Sequence, residues 1–426
     1  MSRFTRSCVV VALSLALAPL PAAAQSVRER IVEMFHFGTC EQLICLSTST
    51  GVHGAHYNPD AAGVGLAMID FLSSAITSSV SNVPLGATSS GMTFTFDSSG
   101  NPVATAQSTG PILGERPQTL GRGRSVIGAH YTRSSLQAVR GVPLTELALT
   151  LTHQDTDPDG VGDPDFERDT IHIDTFMEGA VDVMLFSFTH GISNAIDIGV
   201  AVPIVRLDFE GRSIGEIFPS GAVVHFFGGT PTEPELADTA TSSASTTGIG
   251  DIALRLKVNL AQAGRGGAAF LADVRLPTGS TEDMLGSGKT TVRGTFISAM
   301  RFQQFTPHFN AGYVYRGGLD RNSAFAGALG FDALVAPQLT LAAELIGQWE
   351  VGESKLTLPR PAVFVDGTVV RRTNIPEMHD DLLNGSVGAK WVVGNDVILV
   401  GNVLLPLSEG GMRSSAVYTL GVQKPF

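Results

Sequence analysis

The side chains in this chain that could do chemistry are few, and the densest group of them is acidic. Asp155, Asp157 and Asp159 recur at every second residue, Gly160 follows, and Asp163 and Asp165 come behind. Hard calcium ions take six to eight oxygens, which a loop of this kind can wrap around the ion. The helix-loop-helix calcium motif needs a glutamate at its twelfth position. Phe166 stands there and Glu167 comes one place late, so the spacing is closer to the Asp-x-Asp-x-Asp-Gly repeats of extracellular proteins. The plain alternative is a solvated acidic loop, kept turning by Pro158, Gly160 and Pro164.

Two further motifs imitate catalysts. Gly211-Arg212-Ser213-Ile214-Gly215 fits the pattern of a serine-hydrolase nucleophile, which needs a strand-to-helix elbow. Here it follows an amphipathic strand and opens a long loop, so no nucleophile is assigned. Gly286-Ser287-Gly288-Lys289-Thr290 resembles the end of a phosphate-binding loop, but Asp283 occupies the place of the required first glycine. His130, His172, His190 and His308 fall on candidate strands without a Ser–His spacing that singles one out. The chain is therefore read as not an enzyme, with no cofactor other than the calcium of the acidic loop.

The elements that carry these residues alternate with a period of two. Ile252, Leu254, Leu256, Val258 and Leu260 fall on one face, against Asp251, Ala253, Arg255, Lys257 and Asn259 on the other. That is a strand with one oily and one wet side. Ile196 to Ile204 and Leu383 to Val393 repeat the pattern. Alternation alone fits a sandwich or a barrel. The connections decide between them. Short links at 191–194, 261–266, 303–307, 336–338 and 394–396 alternate with longer ones at 154–168, 210–246, 278–289, 317–322, 351–380 and 406–412. Short turns at one end and long loops at the other mark an outer-membrane barrel. Its wet faces should turn inward, since a charge facing lipid near the midplane costs about 2–4 kcal/mol. Asp251, Arg255, Lys257, Asp273, Arg275, Glu344 and Lys390 are thus expected in the lumen, as pairs that hold the wall and any plug or as the lining for a ligand.

Composition agrees. Charged residues are only 16%, yet past the first residues no uninterrupted apolar run reaches the twenty or so that a spanning helix needs. A net charge of −12 argues against a nucleic-acid partner, which wants a basic surface. Arg3 and Arg6, the apolar run from Val9 and the small residues before Gln25 read as an export signal over 1–24, with a membrane anchor as the alternative. Past that signal only Cys40 and Cys45 remain, and an oxidising compartment favours a disulfide between them. Residues 25–121 do not fit the barrel repeat. They hold two candidate helices, Val27 to Phe37 and Ala61 to Ser79, and read as a plug or periplasmic cap, with a partly disordered leader as the alternative. Residues 122–426 are the barrel.

Phe302, Phe305, Phe309, Tyr313, Tyr315, Trp349 and Trp391 lie near strand ends and could form interfacial girdles. Phe426, with Val422, Leu420 and Tyr418 at alternate positions before it, resembles the signal that outer-membrane assembly machinery reads; Lys424 departs from an all-apolar version. Thirteen strands are counted from Ser125 onward. Barrels of this kind have an even number, so one more is sought in Met92 to Phe96 or Val103 to Gln107. The expected fold is all-β: a transmembrane antiparallel barrel of about fourteen strands, with twelve as the rival.

Thr247-Gly248-Ile249-Gly250-Asp251-Ile252, the stretch Asp273 to Gly279, Leu285-Gly286-Ser287-Gly288 and Pro307-His308-Phe309-Asn310-Ala311-Gly312-Tyr313 resemble outer-membrane proteins of the phenol meta-pathway family. The plan of a plug followed by a barrel is similar to that of the fatty-acid transporter family of outer membranes. The resemblance implies passive passage of small hydrophobic or aromatic molecules, in contact with outer-membrane lipid and lipopolysaccharide. The alternatives are a general diffusion pore, and a structural or adhesive barrel acting through 210–246 and 351–380. Calorimetry tests the acidic loop: calcium uptake by the purified protein is expected to vanish when Asp155, Asp157 and Asp159 are replaced by Asn. No difference between the two proteins at millimolar calcium would leave a plain solvated loop.

Overall fold

In the computed structural model the alternating segments pair into one antiparallel sheet of fourteen strands. The structure describes residues 25–39, 43–48, 51–52, 94–96, 102–104, 109–153, 155, 160–162, 167–220, 224–317, 321–355, 358–394 and 396–426. In chain order the strands are β1 (Ser125–Leu136), β2 (Leu147–Thr152), β3 (Thr170–Gly191), β4 (Ile196–Phe218), β5 (Ala237–Ile249), β6 (Ile252–Ala263) and β7 (Gly266–Leu276). They continue as β8 (Thr291–Met300), β9 (Phe305–Tyr315), β10 (Ala324–Ala336), β11 (Leu339–Glu350), β12 (Leu382–Val393), β13 (Val397–Pro406) and β14 (Val417–Pro425).

Twelve of them close a ring. From β6 to β14 each strand pairs with the next, β14 pairs with β1, β1 with β3, β3 with β4, and β4 with β6. At the seam the Ser125 and Phe426 backbones exchange hydrogen bonds of 2.8 and 2.9 Å. The other two strands prolong existing staves. β3 and β4 are 22 and 23 residues long, about twice what a membrane strand needs. Past the ring, β2 continues the edge that β1 leaves on β3, and β5 continues the edge that β6 leaves on β4. The β5–β6 junction is Gly250–Asp251, where the register slips by one residue.

The ring itself thus closes with twelve strands, the rival count, and fourteen is reached only by adding β2 and β5, which prolong staves. β1 to β14 already supply fourteen strands, and Phe94–Phe96 pairs with Pro102–Ala104 as a separate small hairpin outside the barrel sheet. The supposed loop 210–246 is mostly sheet: β4 and β5 carry on through it and only 219–236 connects them. Ser, Thr and Ala fill most of β5, so its wet-and-oily alternation was invisible there. The order of short and long links is otherwise the one read from the sequence, with 192–195, 264–265, 301–304, 337–338 and 394–396 at one end.

The outward face is apolar. Phe186, Ile198, Leu256, Phe270, Phe296, Leu329, Leu345, Val387 and Leu420 are all exposed, an arrangement that a soluble protein avoids and lipid requires. Tyr315, Trp349 and Tyr418 mark the belt at the long-loop end, and Phe302, Phe305 and Trp391 mark it at the short-turn end. On the tall flank the belt stops above Met184 and Ile204. Outward residues there become Asp182, Arg206 and Asp208, joined by Arg133 in exposed ion pairs of 2.9–3.3 Å.

The apolar core sits elsewhere, at the long-loop end. Leu207, Phe209 and Ile217 of β4 and Ile171 and Ile173 of β3 turn inward there and pack on Val27 and Ile31 of helix α1 (Val27–Glu33) and on its C-cap residue Met34. Ser26 and Glu29 start this helix as a reciprocal capping box. It is shorter than the helix expected over 27–37. The second expected helix, 61–79, lies outside the described residues, as does the 1–24 segment. A Cβ on Gly211 would fall 2.3 Å from the Met34 sulfur, so α1 lies against bare β4 backbone. Cys45 is disulfide-bonded, and its partner lies outside the described residues. Long loop 351–381 is tied down by Arg140, whose guanidinium grips Asp380 through two bonds of 2.8 and 3.1 Å.

The belt makes a quantitative expectation. Leu256→Arg puts a charge on the lipid face and should cost about 2–4 kcal/mol in urea unfolding from vesicles. Ser243→Arg, exposed on β5 above the belt, should change stability by about 0.5 kcal/mol or less. Equal costs at the two sites would remove the belt.

Candidate functional site

The lumen is polar, and a peptide crosses it. Residues 109–120 run across the barrel near the short-turn end before the chain enters β1. Inward-pointing wall residues hold most of this bar, and the 192–195 turn takes the Thr119 hydroxyl at the carbonyl of Asn194. Thr109 donates its N–H to Thr340 at 2.9 Å, and Lys390 Nζ reaches the carbonyl of Pro111 at 2.6 Å. Glu344 accepts the N–H of Leu113 at 3.0 Å and that of Gly114 at 2.6 Å. A Cβ on Gly114 would stand 2.7 Å from that carboxylate, so only glycine lets the chain come so close. Asn310 exchanges two bonds with the Glu115 backbone, and Arg116 pairs with Asp332. Asp197 accepts Leu120 N–H at the exit.

Glu115 is the centre of this crossing. Its carboxylate meets Lys257 Nζ at 2.7 Å and Arg255 at 3.2 Å. Arg255 also reaches Asp273 at 3.2 Å, and Arg275 lies 3.7 Å from the same carboxylate. On the other wall His308 sits wholly buried between Glu344 and Asp332, at 3.2 and 3.8 Å. Charges this deep survive only when paired and hydrogen-bonded.

Of the expected lumen charges, Arg255, Lys257, Asp273, Arg275, Glu344 and Lys390 all face inward, and four of these six hold the bar directly. Asp251 does other work. It stands at the β5–β6 junction and accepts the N–H of Gly279 and the N–H and Oγ–H of Ser287, so it fastens the loop 277–290. That bond also occupies the loop that imitated a phosphate site. Ser213 is buried in mid-strand against Thr175 at 3.1 Å, with no elbow. Asp155 is described, while Asp157, Asp159, Asp163 and Asp165 lie outside the described residues, as does Cys40. Among the described residues no cluster of metal-ligating side chains occurs.

Sequence reasoning missed the bar itself, with Glu115 and Arg116, and the Asp332 that pairs with Arg116. An extended peptide whose bonds all go to a distant wall has no periodicity of its own. Its signals were Gly110-Pro111 and Gly114, which hold it out of helix, and a Glu–Arg pair in a polar stretch.

Between the bar and the long-loop end lies a cavity of about 160 Å³. Leu113, Gly114 and Glu115 form its floor, and its walls come from β6 to β13. Just past β9, burial and the neighbouring Arg321 and Arg293 push the Arg316 guanidinium down to about 9, which leaves it a cation at neutral pH.

A closed ring with an oily belt, a wet lumen and a peptide across it defines a transmembrane β-barrel of the outer-membrane channel type. Residues 129–355, just over half of the chain, match the family described as "Putative MetA-pathway of phenol degradation", and the chain belongs to that family. Among solved structures, an outer membrane channel from Pseudomonas putida F1 is 13% identical over 72% of this chain and 97% of its own, with a TM-score of 0.42. A FadL homologue from Pseudomonas aeruginosa is 9% identical over 71% and 90%, with a TM-score of 0.32. The P. putida toluene transporter TodX is 10% identical over 80% and 99%, with a TM-score of 0.34. No curated protein matches.

Glu115→Gln tests the bar. It strips Lys257 and Arg255 of their carboxylate, and breaking a buried pair in this way costs about 3–5 kcal/mol. The expected result is faster hydrogen exchange over 113–120 and a larger single-channel conductance. Unchanged exchange and conductance would mean that Glu115 does not hold the bar.

Proposed function

We propose that the protein is a passive outer-membrane channel for small hydrophobic or aromatic molecules. The observation that carries this reading is the cavity above the bar. It is closed below by a peptide that ion pairs hold in place, and one side of its wall is apolar. A solute of matching size can rest there and leave when the bar shifts, without energy coupling. A general diffusion pore needs an open lumen, and the bar stands against it. In this reading the 1–24 segment is an export signal, the long loops face outward toward lipopolysaccharide, and Phe426 addresses the barrel-assembly machinery. Calcium in the 155–165 loop, if bound, would bridge to the same lipopolysaccharide.

Lipopolysaccharide slows apolar solutes, so whole cells give the test. Cells carrying the protein should take up a radiolabelled monoaromatic compound faster than cells lacking it, with sugar permeability unchanged. Free passage of small sugars and ions, with no preference for the aromatic, would establish the diffusion pore instead.

A further inference from the structure

The cavity has two unlike sides. Arg255, Arg275 and Arg293 stand on β6, β7 and β8, with Asp273 and Glu115 as the carboxylates among them. Opposite them Ala326, Ala328, Ile346, Leu382 and Leu404 make an apolar wall. The carboxylates are already shared. Glu115 takes both Lys257 and Arg255, and Asp273 takes both Arg255 and Arg275. Arg293 lies across the register from Asp273 and has no ion pair among the described residues. Arg316 adds a further cation just above. A low-dielectric chamber with a surplus of one sign of charge concentrates the opposite sign.

A second observation points the same way. Gln348, 93% buried, lines this cavity, and its side-chain N–H₂ has no hydrogen-bond partner among the described residues. An unmet donor is costly to bury. The register puts it within one row of Arg293: Arg293 pairs with Val314, Val314 with Ala324, and Ala324 with Glu350, two residues beyond Gln348. Two sets of donors thus aim at one space, and no described acceptor fills it. A cavity of about 150 Å³ holds a benzene ring, so about 160 Å³ admits one ring with a small substituent.

We infer that the cavity takes a small amphipathic monoanion, a single-ring or similarly short carboxylate, with its acid group between Arg293 and Gln348 and its apolar body on the Ala326–Leu404 wall. This rests on the channel reading and narrows it from neutral hydrocarbons to acids. The guanidinium gives a carboxylate two parallel N–H bonds, and the Gln348 amide adds a third donor. A neutral ring of the same shape gains only the apolar wall.

Calorimetry on the full-length protein in detergent at pH 8 tests it with benzoate and its neutral counterpart, benzyl alcohol. Benzoate is expected to bind about tenfold tighter or more. In Arg293→Gln that advantage should fall to about threefold or less, with benzyl alcohol unchanged and the barrel still shifting in gel mobility on boiling. Equal affinities in the unmutated protein would overturn the inference whether or not the variant folds, and so would a benzoate preference that survives in a folded Arg293→Gln. Benzyl alcohol binding without a preference for benzoate would leave the channel reading standing. The channel reading fails separately, when cells carrying the unmutated protein take up no aromatic compound at all.

Discussion

Hydrocarbon offers no partner to a peptide N–H or C=O, so a sheet in lipid must have no open edge. In this chain that requirement is met at one seam, where β14 lies against β1 and residues nearly three hundred positions apart are neighbours. Once the ring is shut, each wall residue has only two choices, lipid or lumen, and the two-residue period assigns them. The apolar belt and the buried lattice of Glu, Asp, Arg, Lys and His follow from that single closure. So does the reversal of the usual order, with large apolar side chains outside and ions within.

The lumen then faces its own difficulty, since charges removed from water need partners. The wall cannot satisfy them alone. Glu115 enters from the bar to meet Lys257 and Arg255, and Glu344 needs the N–H groups of Leu113 and Gly114. The bar in turn has no core of its own and depends on those side chains for its path. Wall and bar are thus mutually specified, and removing a charge from either leaves an unpaired ion in the other. The chamber above them inherits the surplus of cations that this pairing leaves.

Much of the barrel was legible because a membrane sheet writes its two faces directly into sequence. The 252–260 segment named both its lipid and its lumen residues, and the order of short and long links gave the topology. The inward charges were legible for the same reason. Where the period fades, legibility ended. β5 is mostly Ser, Thr and Ala, so half of the tall flank read as a loop. Strands β1 and β2 are parts of one stave split by residues 137–146, which carry a small hairpin of their own, so counting runs could not separate ring from extension. The bar was illegible because its conformation is decided by partners some two hundred residues away.

The tall flank has a consequence for anything that meets the molecule from its long-loop side. β3 and β4 continue well past the belt as a paired sheet, stiffened from within by α1 and fringed by β2 and β5. What projects there is a rigid scaffold rather than a set of supple loops. An antibody or a phage fibre that grips Arg133, Asp182, Arg206 and Asp208 would touch three strands at once. Such an epitope is conformational: it exists on the assembled barrel and vanishes on a denaturing blot, and short peptides copied from β4 would not reproduce it.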